Sequence, residues 1–343
     1  SFEHTDTNKD NFISFEEDNA LRRKHFKATD LNNDGVLTYA EFLDVHKGNQ
    51  PSAKSEPVKS ATEHAQMNFD VEIAQFEALA HLTDAPQLWS AEGYEATEKL
   101  AAVYYDGLDW KGNSTKVFAW LGLPDDLSKP VPAVVLVHGG GGTAFKSWVT
   151  EWTNRGYAAI SIAVEGQTDV RNDAGSPHSP WEQHEWAGPQ RSGIYHDSDQ
   201  PFKDQWMYHA VANTILANSL LHSLPEVDAD KVGVMGISWG GVITSTVIGI
   251  DHRFAFAIPV YGCGDLSTTQ NQYGQTLGTN ELYKNVWDPA LRMDRAAVPT
   301  LWFSWEGDEH FPLDAQASCY SRQPGEHMVS LVPGMGHGHG PGW

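Results

Sequence analysis

Residues 232–241 read VGVMGISWGG and join an apolar run to a serine flanked by glycines. The apolar run 232–236 is typical of a buried strand, and a helix-compatible run follows the serine. Gly236, Ser238 and Gly240 form the pattern G-x-S-x-G between the two. A sharp strand-to-helix turn pushes the serine hydroxyl out of the sheet, and flanking glycines are needed because side chains there would collide with neighbouring backbone. The context predicts that Ser238 is a nucleophile.

A glycine-rich segment upstream has the composition of an oxyanion loop. The apolar run 133–137 leads into HGGGGT at 138–143. Bare glycine N–H groups can approach a substrate oxygen, so we expect the N–H of Gly139 or Gly140 to act together with that of Trp239. A phosphate-cradling loop is the alternative, but no Lys-Ser/Thr pair follows the glycines.

The base and the acid of a Ser-His-Asp set are expected after the last two predicted strands. The strand 300–304 is followed by WEGD, which places Asp308 on a loop, and the strand 328–332 is followed by PGMGHGHG, which contains His337. In these roles His337 accepts the Ser238 proton, and Asp308 holds the imidazole tautomer and stabilises its cation.

Both assignments leave alternatives open. His339 is a second candidate for the base, and Glu306 or Asp314 is a second candidate for the acid. His337 and His339 make a poor metal pair because no third ligand is evident nearby.

The pattern from residue 67 onward indicates an α/β domain, because short apolar runs alternate with longer amphipathic stretches. Several runs are continuous in Val, Ile, Leu and Ala, as expected for strands buried on both faces. The stretch 204–224 has apolar residues at helical spacing and ends before Pro225, so it is predicted to be a helix. The predicted strands are 116–121, 133–137, 158–163, 232–236, 256–260, 300–304 and 328–332.

The first 46 residues contain a twelve-residue pattern twice, and that pattern suits a hard cation. Ca²⁺ takes several oxygens: side chains at positions 1, 3 and 5, a backbone carbonyl at 7, often a water at 9, and a bidentate Glu at 12. Position 8 is Ile13 in one copy and Leu37 in the other, and we expect these two to meet across a short two-stranded contact. The first copy is Asp6, Asn8, Asp10, Phe12, Ser14 and Glu17, and the second is Asp30, Asn32, Asp34, Val36, Thr38 and Glu41.

The repeated pattern resembles a pair of EF-hands, which implies a small all-α module at 1–46 with two structural calcium ions. A solvated acidic tail is one alternative. A dockerin-like module that binds a scaffold protein is another, although the Glu at position 12 favours the EF-hand. The polar stretch 47–66 is predicted to be a linker, and 67–343 to be the catalytic domain.

The composition excludes some classes of binding partner, and it does not decide whether the two cysteines are paired. With 23 Lys+Arg against 45 Asp+Glu, the formal charge is −22, which argues against nucleic acid. The uncharged run 232–250 contains four glycines and is read as strand, turn and buried helix, so no membrane partner is expected. Cys263 and Cys319 fit a single disulfide or two buried thiols equally well.

The segment 117–340 resembles bacterial α/β-hydrolases of the acetyl xylan esterase-like and dienelactone hydrolase-like group. The resemblance rests on VPAVVLVHGGGGTAF, WVTEWTNRGYAAISI, KVGVMGISWGG and GHGHG, among other segments. It implies a mostly parallel sheet with helices on both faces, and removal of acetyl or similar acyl groups from carbohydrates or other small esters. Ser238 stands where dienelactone hydrolases use Cys, and Glu165-Gly166-Gln167 stands where cephalosporin-C deacetylase relatives have Arg-Gly-Gln.

Substrate contacts and cellular location are expected as follows. The insertion 165–202 follows a strand end, where α/β active sites open, and we expect Trp181, Trp186 and Trp305 to contact the substrate. An extracellular or periplasmic protein is expected, because weak calcium loops fill at millimolar calcium. The natural start, with any targeting segment, is expected to have been removed. No cofactor is expected for catalysis.

Two other functions remain as alternatives to the esterase. Prolyl-oligopeptidase-type peptidases share Ser-x-Gly-Gly, but they usually carry a propeller, and the residues upstream are too few to form one. A non-catalytic, calcium-dependent binding or scaffold protein that retains the hydrolase fold is the other.

Overall fold

The computed structural model describes residues 12–14, 36–38, 68–176 and 178–338. Contacts between Cα atoms divide the chain into two compact units, Ser1–Gln66 and Met67–Trp343. The second unit therefore begins where the predicted linker ends.

The described part of the first unit is a two-stranded antiparallel contact. Strand β1 (Phe12–Ser14) pairs with β2 (Val36–Thr38), and Ile13 lies opposite Leu37. This pairing confirms the contact predicted for position 8 of the two loops. The remaining loop ligands and the linker 47–66 lie outside the described residues.

The second unit is built on a nine-stranded sheet whose strands are β3 Leu88–Ser90, β4 Leu100–Asp106, β5 Lys116–Gly122, β6 Val131–Val137, β7 Ala158–Ile162, β10 Val227–Ile237, β11 Phe256–Val260, β12 Thr300–Ser304 and β13 His327–Leu331. Their order across the sheet is β13-β12-β11-β10-β6-β7-β5-β4-β3. The first six strands of this order pair in parallel, whereas β5, β4 and β3 extend the sheet in antiparallel fashion.

The helices pack against this sheet and bury its apolar strands. Helix α3 (Trp206–Ser223) is buried from Trp206 to Leu221 and contacts β6, β7 and β10. The helices of the second unit are α1 Asp70–Glu77, α2 Lys146–Thr153, α3 Trp206–Ser223, α4 Trp239–Val247, α5 Gln272–Leu277 and α6 Leu313–Arg322, with short 3₁₀ and π segments between them. The mostly parallel sheet with its helices confirms the predicted α/β-hydrolase fold.

Every strand predicted from the sequence is present, and the differences lie at ends and in irregular segments. β10 begins at Val227, five residues before the predicted start. The segment 227–231 was not predicted to be part of the strand because it contains charged residues. β3 and β4 were not predicted. Neither was the two-stranded hairpin of β8 (Gln167–Arg171) and β9 (Trp181–Gln183), which lies within the insertion 165–202.

The structure also bears on the cysteines and on membrane insertion. Cys263 and Cys319 are both buried free thiols, so the disulfide alternative is wrong. Burial raises the pKa of the Cys319 thiol to about 12 and that of Cys263 well above its usual range, so both stay protonated at neutral pH. Within the described ranges, no helix is long and apolar enough to cross a membrane.

Candidate active site

Ser238 occupies a strained turn between β10 and α4. Its backbone has φ 57° and ψ −118°, a conformation that residues other than glycine rarely adopt. The Ser238 N–H donates to the Val260 carbonyl at 3.0 Å, which ties the turn to the neighbouring strand. A Cβ added to Gly236 would lie 2.1 Å from the Gly240 carbonyl oxygen, and one added to Gly240 would lie 2.1 Å from that of Val137. The flanking glycines are therefore required by close backbone, for the reason that the sequence indicated.

Ser238, His337 and Asp308 form a continuous chain of hydrogen bonds, although they come from distant parts of the sequence. Ser238 Oγ lies 3.0 Å from His337 Nε2, and His337 Nδ1 lies 2.9 Å from Asp308 Oδ2. The Asp308 side chain is completely buried and His337 is a quarter exposed. The chain thus runs from a buried carboxylate to a hydroxyl at the surface of a cleft.

The surroundings of Asp308 keep it ionised. Burial raises its pKa, but hydrogen bonds from His337 and from the N–H groups of Phe311 and His310 outweigh that effect, so the net pKa lies below the usual range. Both N–H groups reach Asp308 Oδ1 at 2.9 Å. A carboxylate held in this way accepts a hydrogen bond from the Nδ1–H of His337, which leaves Nε2 free to accept a proton from Ser238.

Three aromatic rings surround the imidazole of His337. The Tyr261 ring centroid is 4.4 Å away, that of His310 is 4.5 Å away, and that of Phe311 is 5.8 Å away in a nearly parallel orientation. The Tyr261 hydroxyl also donates to the Gly338 carbonyl at 2.9 Å, one residue after His337. These contacts fix the orientation of the ring and the position of the loop that carries it.

The alternative acids do not reach this imidazole, and the alternative base is not described. Glu306 is exposed. Asp314 Oδ1 accepts from the Ala315 N–H at 2.9 Å, in the first turn of α6. His339 lies outside the described residues. Among the described carboxylates, Asp308 is the one bonded to His337.

The glycine loop lies directly against the serine, as an oxyanion loop requires. A Cβ on Gly139 would be 3.1 Å from that of Ser238, and one on Gly140 would be 2.8 Å from Cδ1 of Trp239. Within residues 68–176 and 178–338, no backbone hydrogen bond outside regular helices and strands uses the N–H of Gly139, Gly140 or Trp239. These amides are available to a ligand oxygen near Ser238 Oγ.

Buried polar side chains hold the glycine loop in place. His138 Nδ1 donates to the Gly139 carbonyl at 2.6 Å, and its Nε2 accepts from the Val164 N–H at 3.0 Å. Burial lowers the pKa of His138, which keeps the ring neutral and fits this tautomer. Gln167 Nε2 donates to the Gly142 carbonyl at 2.7 Å and lies 3.1 Å from His138 Nε2.

An ion pair supports the same loop from its outer side. Arg191 Nε lies 3.2 Å from Glu165 Oε1, and its guanidinium carbon is 5.3 Å from the centre of the Trp239 ring. A Cβ on Gly140 would lie 2.8 Å from Arg191 Nη2. Arg191 therefore lies against Gly140 and Trp239, two of the residues whose N–H groups are candidates for the oxyanion hole.

A cleft of about 430 Å³ opens over Ser238 and His337. Its aromatic and aliphatic side chains, Phe145, Trp181, Ile237 and Tyr261, come from four separate segments of the chain, which suits a ring-shaped or acyl ligand. Arg171 is the one arginine among the described residues that line it. The lining residues are Gly139, Gly140, Gly141, Gly142, Phe145, Arg171, Trp181, Ile237, Ser238, Tyr261, His337 and Gly338.

The three tryptophans predicted to bind substrate lie in different places. Trp181 lines the cleft, and its Nε1 donates to the Gly141 carbonyl at 3.0 Å. Trp186 is not among the lining residues; its ring lies 4.3 Å from Lys116 Nζ and contacts Tyr104. Trp305 is not a lining residue either, and its Nε1 lies 3.3 Å from Asp308 Oδ2. Of the three, Trp181 is the one positioned to touch a bound ester.

Four residues of the site were not predicted from the sequence: Tyr261, His310, Phe311 and Arg171. A signal was present for Tyr261, because it follows β11, and the carboxyl ends of adjacent parallel strands share one edge of a sheet. His310 and Phe311 follow Asp308 directly. Arg171 had no signal, because the hairpin that presents it was not predicted.

One known protein family matches the chain over most of its second unit. The acetyl xylan esterase (AXE1) family matches residues 69–266, more than half of the 343 residues. The chain belongs to the acetyl xylan esterase family. As the resemblance implied, this family member is a carboxylic ester hydrolase. The matched range contains the glycine loop and Ser238.

Solved structures with the same fold include two acetyl xylan esterases. The enzyme from Paenibacillus sp. R4 superposes with a TM-score of 0.58 at 21% identity, over 80% of this chain and 90% of that one. Acetyl xylan esterase 1 from Thermoanaerobacterium sp. JW/SL YS485 gives 0.61 at 18% identity, with the same coverage. The acylaminoacyl peptidase of Pyrococcus horikoshii gives 0.52 at 16% identity, but only 38% of that chain is covered.

Two further families match parts of this acetyl xylan esterase family member. The prolyl oligopeptidase family matches residues 196–341, which contain Ser238, Asp308 and His337. The EF hand family matches residues 24–46, which contain the second predicted calcium loop.

Proposed function

We propose that this protein is a serine esterase that removes acetyl groups from carbohydrates through an acyl-enzyme. The observation that supports this most directly is the hydrogen-bonded chain Ser238–His337–Asp308, which opens into a cleft in a member of the acetyl xylan esterase family. The carbohydrate part of the proposal rests on the family, and the acyl-enzyme part rests on the geometry.

In the first half-reaction, Ser238 Oγ attacks the ester carbonyl while His337 Nε2 takes its proton. The carbonyl oxygen becomes an oxyanion, which accepts hydrogen bonds from the Trp239 N–H and from the N–H of Gly139 or Gly140. The helix N-terminus at Trp239 also favours negative charge there. The tetrahedral intermediate then expels the sugar alkoxide, which takes the proton from His337 and leaves as the alcohol.

In the second half-reaction, a water molecule takes the place of the sugar. His337 removes a proton from it, the hydroxide attacks the acetyl carbonyl, and Ser238 leaves with the returned proton. Asp308 stays ionised throughout, stabilises the imidazolium in both steps, and does not itself take a proton. The ring contacts of Tyr261 and Phe311 hold the imidazole in line with the serine.

The first experiment is hydrolysis of p-nitrophenyl acetate and of acetylated xylan by the wild type and by Ser238→Ala. We expect activity on both substrates in the wild type and a loss of at least about 10³-fold in the variant. Ser321→Ala is the matched control, because Ser321 is exposed and bonds only within helix α6. Activity retained by Ser238→Ala would overturn the proposal.

A fluorophosphonate probe separates the esterase from a non-catalytic binding protein. Only an activated serine reacts with the probe, so labelling is expected in the wild type and in Ser321→Ala but not in Ser238→Ala. Labelling without acetyl ester hydrolysis would favour the peptidase alternative, which the prolyl oligopeptidase match at 196–341 supports. Aminoacyl p-nitroanilides are the substrates that test it.

We further propose that two calcium ions stabilise the N-terminal unit. The register with Ile13 opposite Leu37 fits two EF-hand loops, whose position 8 residues pair in this way. The ligands would be those of the two loop patterns, with Glu17 and Glu41 as the bidentate carboxylates. Titration of the full chain with calcium in a calorimeter tests whether the two ions bind. If the full chain binds no calcium, the proposal is contradicted.

The predicted calcium loops also suggest a cellular location and a possible partner. Weak calcium loops suit the millimolar calcium outside cells, so we propose an extracellular or periplasmic esterase that acts on polysaccharide. Detection of the protein only in the cytoplasm of its native host would contradict this location. Pull-down with the N-terminal unit attached tests whether a scaffold protein binds it, as the dockerin-like alternative requires.

A further inference from the structure

Arg171 places a positive charge at the wall of the active-site cleft. It is the last residue of β8 and lines the same cleft as Ser238 and His337. Its guanidinium carbon lies 3.4 Å from the centre of the Trp181 ring, and Nη1 donates to the Ser179 carbonyl. Stacking on an aromatic face and one hydrogen bond hold the guanidinium in a defined place.

This charge has no carboxylate partner among the described residues. Every other arginine in residues 68–176 and 178–338 lies within 4.0 Å of an Asp or Glu oxygen, and Arg171 alone does not. Asp169 and Asp173 each lie two residues from Arg171 along the hairpin, and both have other partners. Asp169 Oδ2 accepts from Trp120 Nε1 at 2.7 Å, and Asp173 Oδ1 accepts from the Gly175 N–H. In a chain with 45 acidic residues and 23 basic ones, a cation left unpaired in the cleft is conspicuous.

The position of Arg171 relative to the reacting groups is also fixed. Trp181, which carries the guanidinium on its ring, is bonded through Nε1 to the Gly141 carbonyl in the glycine loop. The hairpin and the glycine loop therefore hold the cation and the candidate oxyanion amides in one rigid arrangement. A substrate with its acetyl ester at Ser238 would extend along this wall.

We propose that Arg171 selects acetylated carbohydrates that bear an anionic group, a carboxylate or a sulfate, close to the acetyl ester. This proposal rests on the proposed esterase function and names its substrate class. The planar guanidinium keeps donors that no described residue uses, and such a fork binds carboxylate or sulfate oxygens through charge-assisted hydrogen bonds. Because exposed charges are screened beyond about 8–10 Å at physiological ionic strength, the local cation outweighs the distant acidic surface.

The test compares substrates that differ only in charge. The substrates are an acetylated xylo-oligosaccharide with one uronic acid carboxylate, the same compound as its uronamide, and an acetylated sugar with a sulfate in place of the carboxylate. For the wild type we expect kcat/KM on the uronate to exceed that on the uronamide by about 10- to 100-fold. A preference for the sulfate over the uronate would support the proposal and identify sulfate as the anion.

The variants assign that preference to one residue. Arg171→Gln is expected to bring the uronate-to-uronamide ratio close to one, and Arg171→Lys to recover part of it, because it keeps the charge but loses the fork. Arg155→Gln is the matched control and should keep the full ratio, because Arg155 lies on the exposed surface and pairs with Glu151.

The outcomes separate this proposal from the function on which it rests. Equal hydrolysis of uronate and uronamide by the wild type would overturn the role of Arg171 and leave the esterase intact. A ratio that persists in Arg171→Gln would also overturn that role. Hydrolysis of none of the carbohydrates would overturn both proposals. If Arg171→Gln fails to fold, Arg171→Lys takes its place in the comparison, and a uronate-to-uronamide ratio equal to that of the wild type would overturn the role of Arg171.

Discussion

The carboxylate of Glu165 connects Arg191 to the glycine loop. Its Oε1 accepts the Gly141 N–H at 3.2 Å and lies 3.2 Å from Arg191 Nε. The side chains are 14% and 23% exposed, so water screens the pair only in part. Arg191 in turn covers Gly140 and Trp239. One ion pair therefore supports the glycine loop, which lies against Ser238.

Replacing Glu165 by Gln is expected to lower both stability and turnover. The amide still accepts the Gly141 N–H, but Arg191 loses its counter-charge, at a cost of about 2 kcal/mol in the free energy of unfolding. Turnover of p-nitrophenyl acetate should fall about tenfold, because the oxyanion amides are held less firmly. Urea unfolding and steady-state kinetics measure the two effects.

Glu151→Gln is the matched control for that charge removal. Glu151 lies 3.8 Å from Arg155, and the side chains are 66% and 49% exposed, so its loss should change stability by about 0.5 kcal/mol or less. If the two variants lose the same stability and the same activity, the Glu165–Arg191 pair has no special part in holding the loop.

Trp181→Phe is expected to lower kcat about 2- to 10-fold. The variant keeps an aromatic ring in the cleft but removes the Nε1 hydrogen bond to Gly141, which is worth about 1 kcal/mol. Trp186→Phe is the control, because Trp186 packs on Lys116 and Tyr104 away from the cleft lining, and it should keep full activity. Steady-state kinetics on p-nitrophenyl acetate decide this; equal effects of the two variants would refute the link.

Asp288 is expected to make the folded state less stable as pH rises. Burial raises its pKa to about 6, against which the hydrogen bonds from the N–H groups of Asp265 and Ala290 act only in part. The folded state therefore binds more protons than the unfolded chain between about pH 4 and 6, and stability falls across that window. Above pH 6 the ionised carboxylate costs on the order of 3 kcal/mol.

The Asp288→Asn variant isolates this effect. Asn keeps an Oδ1 that accepts both N–H groups but does not ionise, so its stability relative to the wild type should rise from pH 4 to 6 and then level off. Urea unfolding at each pH measures the difference. Asp294→Asn is the control, because Asp294 is exposed and lies in the 3₁₀ segment Pro289–Arg295 that follows Asp288. The same change in stability with pH in both variants would contradict the prediction.

Removal of calcium is expected to destabilise the N-terminal unit far more than it lowers turnover. The proposed ligands all lie within residues 1–46, whereas Ser238, His337 and Asp308 belong to the second compact unit. A chelator should lower the Tm of the N-terminal transition, while kcat/KM on p-nitrophenyl acetate changes less than about twofold.

Variants of the loop carboxylates sharpen that experiment. Glu41→Gln should reproduce the effect of the chelator on the second loop, whereas Glu16→Gln, next to the ligand Glu17 but outside the pattern, should not. An equal loss of activity and of structure upon chelation would show that the two units depend on each other.

The sequence was sufficient to predict most of the sheet and the three residues of the Ser238–His337–Asp308 chain. Buried parallel strands are continuous apolar runs, so 133–137, 256–260 and 300–304 could be recognised without a partner strand. The strained turn at Ser238 needs its glycines for local steric reasons, which a sequence records directly. Antiparallel strands such as β3 and β4 carry a weaker pattern, because one side is partly exposed.

What the sequence determined by itself is local: the turn that exposes Ser238, the bare glycine loop, and the repeated acidic pattern of residues 1–46. What only the tertiary structure decided is which distant side chains meet. The hydrogen bond to His337 identifies Asp308, rather than Glu306 or Asp314, as the acid of the chain. The path of the β8–β9 hairpin places Trp181, but not Trp186 or Trp305, in the cleft lining. Arg171 gained its place in the cleft from the same hairpin. Side-chain direction and long-range contacts depend on how the strands are ordered in the sheet, and no single segment of the chain contains that order.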